Sequence, residues 1–244
     1  MSAHTPQWWR ALSTVLIDPV SAHGMAISRP EPWRLFGFFV AVLTVLGLAT
    51  LPRQLAVLEL GLPLTGNPAA DAQLEALRAG IVRLMVVDRL LPQPPVLLGA
   101  VLLVLGAEPV LMLAREHRKA LITVAILGLA PLVVGRIGEL AITYLVSPAG
   151  HGTPGDAIRA PHRFVTGPKL LWRGDGPAPQ WLELLDTRAN LVALGCVFLW
   201  SIGLRQLDGG RWAAWHVLLP LACLVVGGFA SWALAPMLLP MVLR

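Results

Sequence analysis

Arg115-Glu116-His117-Arg118-Lys119 is the stretch on which the fold reading depends. It sits between two long apolar runs, residues 95–114 and 120–146. A hydrocarbon core about 30 Å thick takes roughly 20 apolar residues to cross. A charged turn this short between two such runs therefore predicts a helical hairpin that spans a membrane twice. Its three basic residues also predict a side, because short cytoplasmic loops carry the excess of Lys and Arg.

Composition agrees with that hairpin. The 244 residues are 56% hydrophobic and 14% charged, with a mean hydropathy of +0.69. Soluble domains carry about 25% charged residues, so little of this chain is built to meet water. The expected fold class is all-α: a polytopic membrane helical bundle of about five transmembrane helices plus amphipathic interfacial helices. The ~10-residue alternating segments of an outer-membrane barrel are not seen. The net charge of +5 lies largely at the ends of apolar runs. That placement implies orientation and contact with anionic phospholipid, and argues against nucleic acid. Cys196 and Cys223 fall inside apolar runs and read as small buried hydrophobes, not a disulfide framework. The first 30 residues lack the continuous apolar run of a secretory leader. Arginine outnumbers lysine 17 to 2, which fits a GC-rich bacterial genome.

Working outward, residues 1–32 read as an N-terminal interfacial helix and linker, and 33–244 as a five-span membrane domain. Thr5-Pro6 is a helix start, Trp8, Leu12, Val15 and Leu16 share a face, and Asp18-Pro19 is expected to end that helix. Spans are expected at about 33–51, 95–114, 120–146, 189–204 and 212–232. Between the first two, Asn67-Pro68 opens an amphipathic helix over 68–91, with Leu74, Leu77, Ile81, Leu84 and Leu91 opposite Asp71, Glu75, Arg78 and Arg89. Residues 147–188, rich in Gly and Pro, form an external loop. Its end, 179–188, is expected to be a short interfacial helix.

Five spans put the N-terminus, the 115–119 turn and the 206–211 turn on one side. Charge counting near span ends makes that side cytoplasmic. The expected location is the bacterial inner membrane, N-terminus cytoplasmic and C-terminus periplasmic. Arg115, Arg118, Lys119, Trp33 and Trp212 are the candidate topology and lipid anchors. Trp33, Trp200, Trp212 and Trp215 are expected to form an inner aromatic belt, and Trp172, Trp181 and Trp232 an outer one.

Ionisable residues at membrane depth cost several kcal/mol and mark candidate sites. Glu108, Arg136 and Glu139 are the three. Glu108 lies about 10 Å inside the cytoplasmic end and Arg136 about 25 Å up the next span, too far apart in depth to pair. Arg136 and Glu139, one helical turn apart, can pair with each other or snorkel outward. Glu108 is then a lone inner carboxylate followed by Pro109. His216 has no second intraspan histidine with which to hold haem, and His151 and His162 lack nearby metal-ligating partners. No nucleotide-binding, hydrolase or zinc-protease motif is present. No catalytic, cofactor-binding or metal residues are therefore expected.

Several stretches resemble the Yip1 family of five-span membrane proteins, in its bacterial branch. Trp9-Arg10-Ala11-Leu12 followed by Leu16-Ile17-Asp18-Pro19 is similar to that family's entry before its first span. Residues 120–131 resemble its third span, with a proline inside. Leu199-Trp200-Ser201-Ile202-Gly203-Leu204, then Gly210-Arg211-Trp212-Ala213 and Val217-Leu218-Leu219-Pro220, are similar to its ending. The amphipathic helix and the 147–188 loop depart from its shortest members. The resemblance implies a non-enzymatic membrane adaptor without a cofactor. Eukaryotic members are tied to vesicle trafficking and small GTPases, and some bacterial members look like accessory subunits of ABC-type exporters. The expectation is an inner-membrane accessory or scaffold subunit whose partner is another integral membrane protein. The alternative is a transporter or lipid-handling protein that uses Glu108.

Overall fold

The computed structural model describes residues 6–61, 66–90, 93–111, 115–145 and 190–243. The expected external loop, its terminal helix, His151, His162, Trp172 and Trp181 lie outside these. Among the described residues there are only helices: α1 (Gln7–Thr14), α2 (Pro19–Ser28), α3 (Pro32–Gly61), α4 (Pro68–Leu90), α5 (Pro94–Val110), α6 (Arg115–Leu127), α7 (Ala130–Leu145), α8 (Leu191–Leu207) and α9 (Trp215–Leu243).

Local sequence explains where they begin. Pro19, Pro32, Pro68 and Pro94 each open a helix, where a missing N–H costs nothing and φ is already helical. Asp18 caps α2 by accepting the Ser21 N–H at 3.1 Å. Asn67 accepts Ala69 N–H at 3.1 Å, and Asn190 accepts Ala193 N–H at 2.9 Å. Capping of this kind supplies a partner to otherwise orphaned first-turn donors. Asp18-Pro19 thus starts a helix in the stretch expected to be a linker. Residues 15–17 form the bend between α1 and α2.

The basic stretch also differs from its expected role. Residues 115–119 are the first turn of α6 rather than a loop. Helix α3 runs on through Pro52 to Gly61. The long apolar run after Lys119 is interrupted at Gly128-Leu129, between α6 and α7.

Two glycine-lined seams hold the helices together. In the first, α8 runs antiparallel along α6 and α7. A Cβ on Gly195 would stand 3.2 Å from Pro131, and one on Gly135 would stand 3.0 Å from Val192. Gly128 lies under the Trp200 indole, and Gly203 lies under Val124 and His23. In the second seam, α5 and α9 run antiparallel. A Cβ on Gly227 would be 2.5 Å from the Pro95 carbonyl oxygen and 2.9 Å from the Gly99 nitrogen. Small residues let helix backbones approach this closely, the packing mode used where lipid removes the hydrophobic drive between helices. Helix α3 packs on α7 and α4 at the flank. Its buried positions Leu35, Phe39, Leu43, Gly47, Thr50, Gln54 and Leu58 recur every three or four residues. Trp8 and Trp9 of α1 close on Phe38 with ring centroids 5.9 and 5.3 Å away.

The α5–α9 seam yields a direct test. Gly227→Ala sets a methyl against backbone atoms that cannot swing away, and should destabilise by about 1–3 kcal/mol. Gly24, with nothing within 4 Å of its would-be Cβ, should instead gain about 0.5–1 kcal/mol on substitution by alanine. Thermal unfolding of both variants in one detergent measures the contrast. Equal shifts would contradict the seam.

Candidate functional site

Chemistry-bearing side chains gather at one end of the bundle, where α3 and α6 begin, α5 ends, and α8 turns into α9. Glu108, expected to be a lone inner carboxylate, has a partner. Its Oε2 lies 3.3 Å from Nε of Arg118, with the two side chains 35% and 53% exposed. Because α6 begins at Arg115, Arg118 sits on its first turn and reaches back to the end of α5. Glu108 thus pairs with the arginine ten residues ahead of it in the chain. An exposed pair of this kind contributes at most about 1 kcal/mol.

Arg136 and Glu139 do meet, Nη1 to Oε2 at 2.6 Å, one turn apart on α7. Their side chains are only 5% and 19% exposed, so this is the more deeply set ion pair. Thr143, 2% exposed, lies farther along the same helix.

The turn between α8 and α9 is more organised than its sequence suggested. Gly209 and Gly210 take positive φ of 74° and 84°, a backbone that glycine adopts without strain. The buried His216 accepts the Ala213 N–H on Nδ1 at 2.9 Å. That bond assigns the proton to Nε2, which faces Asp208 Oδ2 at 3.1 Å. Trp215 covers the imidazole at a centroid distance of 4.1 Å. Arg205 donates to the Gly210 carbonyl and places its guanidinium 4.8 Å from the centre of the Trp212 ring. His216 offered no function from sequence. The eight-residue spacing from Asp208 across a Gly-Gly turn is the signal that could have linked the two.

His23 is the second histidine that sequence reasoning missed. It is fully buried on α2, with its ring edge against Gly203. Its Nδ1 lies 2.7 Å from the Pro19 carbonyl and so carries the proton. The Nε2 atom has no hydrogen-bond partner among the described residues. Burial holds its pKa below the ordinary 6.5, against the Pro19 bond, which raises it. The absence of aspartate or glutamate around His23 gave no sequence cue, and α2 itself was not expected.

Of the anchors, Trp33 is 77% and Trp212 55% exposed, and Arg118 and Lys119 are exposed. Arg115 lies on the helical backbone of the same turn. Trp200 is different: it is wholly buried and belongs to the core, not to a belt. Both cysteines are free and buried.

Trp33, Pro30, Glu31, Pro32 and Arg34 line one open cleft together with Lys119. The cleft measures about 430 Å³. It joins the α2–α3 elbow to the start of α6. Comparison of the chain with protein-family models, curated proteins and solved structures found no match.

Two measurements follow. Glu139→Leu leaves a buried guanidinium without its carboxylate and should cost about 3 kcal/mol, while Arg136→Leu with Glu139→Leu should recover most of that loss. Unfolding in detergent that ranks the double variant below the single one would contradict a buried pair. For His23, the depressed folded value means that stability is full above the unfolded value. It is lost as pH falls from there toward the folded value. Wild type should therefore lose more thermal stability than His23→Leu between about pH 7.5 and about pH 5. Parallel losses would show that His23 does not titrate on unfolding.

Proposed function

We propose that the chain is a five-span protein of the bacterial inner membrane, with its N-terminus cytoplasmic and its C-terminus periplasmic. It acts as a non-enzymatic accessory or scaffold subunit that binds and stabilises a larger membrane complex, an ABC-type exporter being the class suggested by the Yip1 resemblance. Two segments, Pro32–Ala56 and His117–Leu145, are long and apolar enough to cross a membrane. Pro94–Val110, Leu191–Leu207 and Trp215–Ser231 are shorter apolar helices, each about 25 Å long and at the lower limit of spanning length.

What the helices expose supports membrane embedding. Phe36, Val40, Val45 and Leu48 on α3 face outward, as do Val101 and Leu105 on α5. Leu194 and Phe198 on α8, and Leu218, Leu221, Val225 and Phe229 on α9, do the same. Soluble surfaces rarely carry contiguous apolar patches on this scale. Meanwhile His23, Gln54, Thr123, Arg136 and Ser201 are buried.

The observation that carries the scaffold reading is on α3. Gly37 and Ala41 lie one turn apart on its exposed face, and nothing stands within 4 Å of a Cβ added at Gly37. Two small residues at this spacing form the notch into which another transmembrane helix packs. The transporter reading needs an available carboxylate at Glu108, and Arg118 already engages it.

Affinity purification of the tagged chain in mild detergent should retrieve one integral membrane partner in stoichiometric amount. Gly37→Ile should lose that partner with no fall in its own unfolding temperature, since the added side chain enters open space. Recovery only as a clean monomer or homo-oligomer in every detergent would overturn the scaffold reading. Undiminished capture by Gly37→Ile would move the docking face away from α3.

A further inference from the structure

The cleft between the α2–α3 elbow and α6 has the composition of a binding site. Two prolines, Pro30 and Pro32, fix its wall and offer no backbone N–H of their own. Cations enter from two separate helices: Arg34 from the first turn of α3 and Lys119 from α6. Arg34 is held by Glu31 at 2.8 Å, with 70% of the arginine side chain still exposed. Lys119 has no carboxylate partner among the described residues, and its backbone oxygen is fixed by the Thr123 hydroxyl at 2.7 Å. Counting Arg34, Lys119 and Glu31, the cleft carries one net positive charge.

One turn beyond the cations the surface changes character. Trp33, Phe36 and Val40 share one exposed apolar face of α3, a ridge that runs away from the cleft. A cationic cleft at the head of an apolar ridge matches the two ends of a single amphiphile. Its phosphate would meet Lys119 and Arg34, the Trp33 ring would sit at the polar–apolar boundary, and acyl chains would lie on Phe36 and Val40. A soluble phosphate would make no use of the ridge.

We propose that this cleft is a headgroup site for an anionic phospholipid, in which Arg34 and Lys119 hold the phosphodiester and Glu31 limits the affinity by competing for Arg34. The proposal deepens the membrane reading and rests on it, but not on the scaffold role.

The test uses the full-length chain in detergent, with native mass spectrometry to measure retention of added phosphatidylglycerol against phosphatidylcholine. Lys119→Gln and Arg34→Gln should each weaken phosphatidylglycerol retention about fivefold, the factor expected for one basic residue at an anionic surface. They should leave phosphatidylcholine unchanged. Glu31→Gln should act in the opposite direction and tighten phosphatidylglycerol, a sign that general misfolding does not produce. Equal retention across the variants, or parallel changes for both lipids, would overturn the site. Displacement of the lipid by inorganic phosphate at equal concentration would overturn a lipid ligand in favour of a soluble phosphate. Alkaline extraction of membranes separates the two layers of inference. A chain that remains in the bilayer without lipid selectivity loses only the cleft, whereas one released to the aqueous phase loses the membrane reading as well.

Discussion

The Trp200 indole N–H donates to the Ala125 carbonyl at 2.9 Å, and much of the bundle's geometry depends on that bond. In an uninterrupted helix the Ala125 carbonyl would accept the N–H four residues on, from Leu129. Here Leu129 N–H bonds the Ile126 carbonyl instead, at 2.9 Å, which tightens the turn and releases Ala125. Pro131, with no N–H, favours the interruption at this point. Gly128 leaves the space in which the indole lies. A Trp on α8, a Gly between α6 and α7 and a Pro on α7 thus satisfy one carbonyl between them. Within hydrocarbon, broken helices persist where protein groups re-satisfy the freed backbone.

The same accounting applies to the rest of the interior. Ser201 donates to Val197 O at 2.7 Å, Thr123 to Lys119 O at 2.7 Å, and Thr50 to Gly47 O at 2.7 Å. Each of these three hydroxyls therefore closes locally on its own helix. Arg136 and Glu139 neutralise each other along α7. Gln54, His23 and Thr143 differ, since the Gln54 carboxamide, His23 Nε2 and the Thr143 hydroxyl are buried without a partner among the described residues. Unsatisfied buried polar groups cost about 1–3 kcal/mol each. These three positions are where the bundle holds least of the stability available to it.

The helical class, the helix after Asn67-Pro68 and the reach of Arg136 to Glu139 as one of two options were legible because each depends on short-range spacing. Helix α2 was not. Its Ser21, His23 and Gly24 interrupt any apolar face, and it is held by packing against α6 and α8, which no local pattern reports. Asp18-Pro19 carried the right physics with the wrong consequence, since an N-cap and N1 pair can look like a stop when the residues after it are polar. Trp200 looked like a belt residue because it lies near the end of an apolar run. Only the Gly128 notch, seventy-two residues earlier in the chain, shows that it belongs inside. Glu108 looked solitary because depth was reckoned from a turn at 115–119, and those residues are already helical.

Length differs sharply among the helices. The apolar part of α3, Pro32–Ala56, has 25 residues and extends about 38 Å. Helices α5 and α8 have 17 each, about 25 Å. A bilayer in contact with both faces a hydrophobic belt of uneven height, and must thicken or let α3 tilt on one flank while thinning on the other. Mismatch costs fractions of a kcal/mol per Å and sorts proteins among membranes of different thickness. A companion helix laid against α3 would take over lipid-facing surface where the mismatch is greatest, so membrane elasticity itself would favour assembly on that flank.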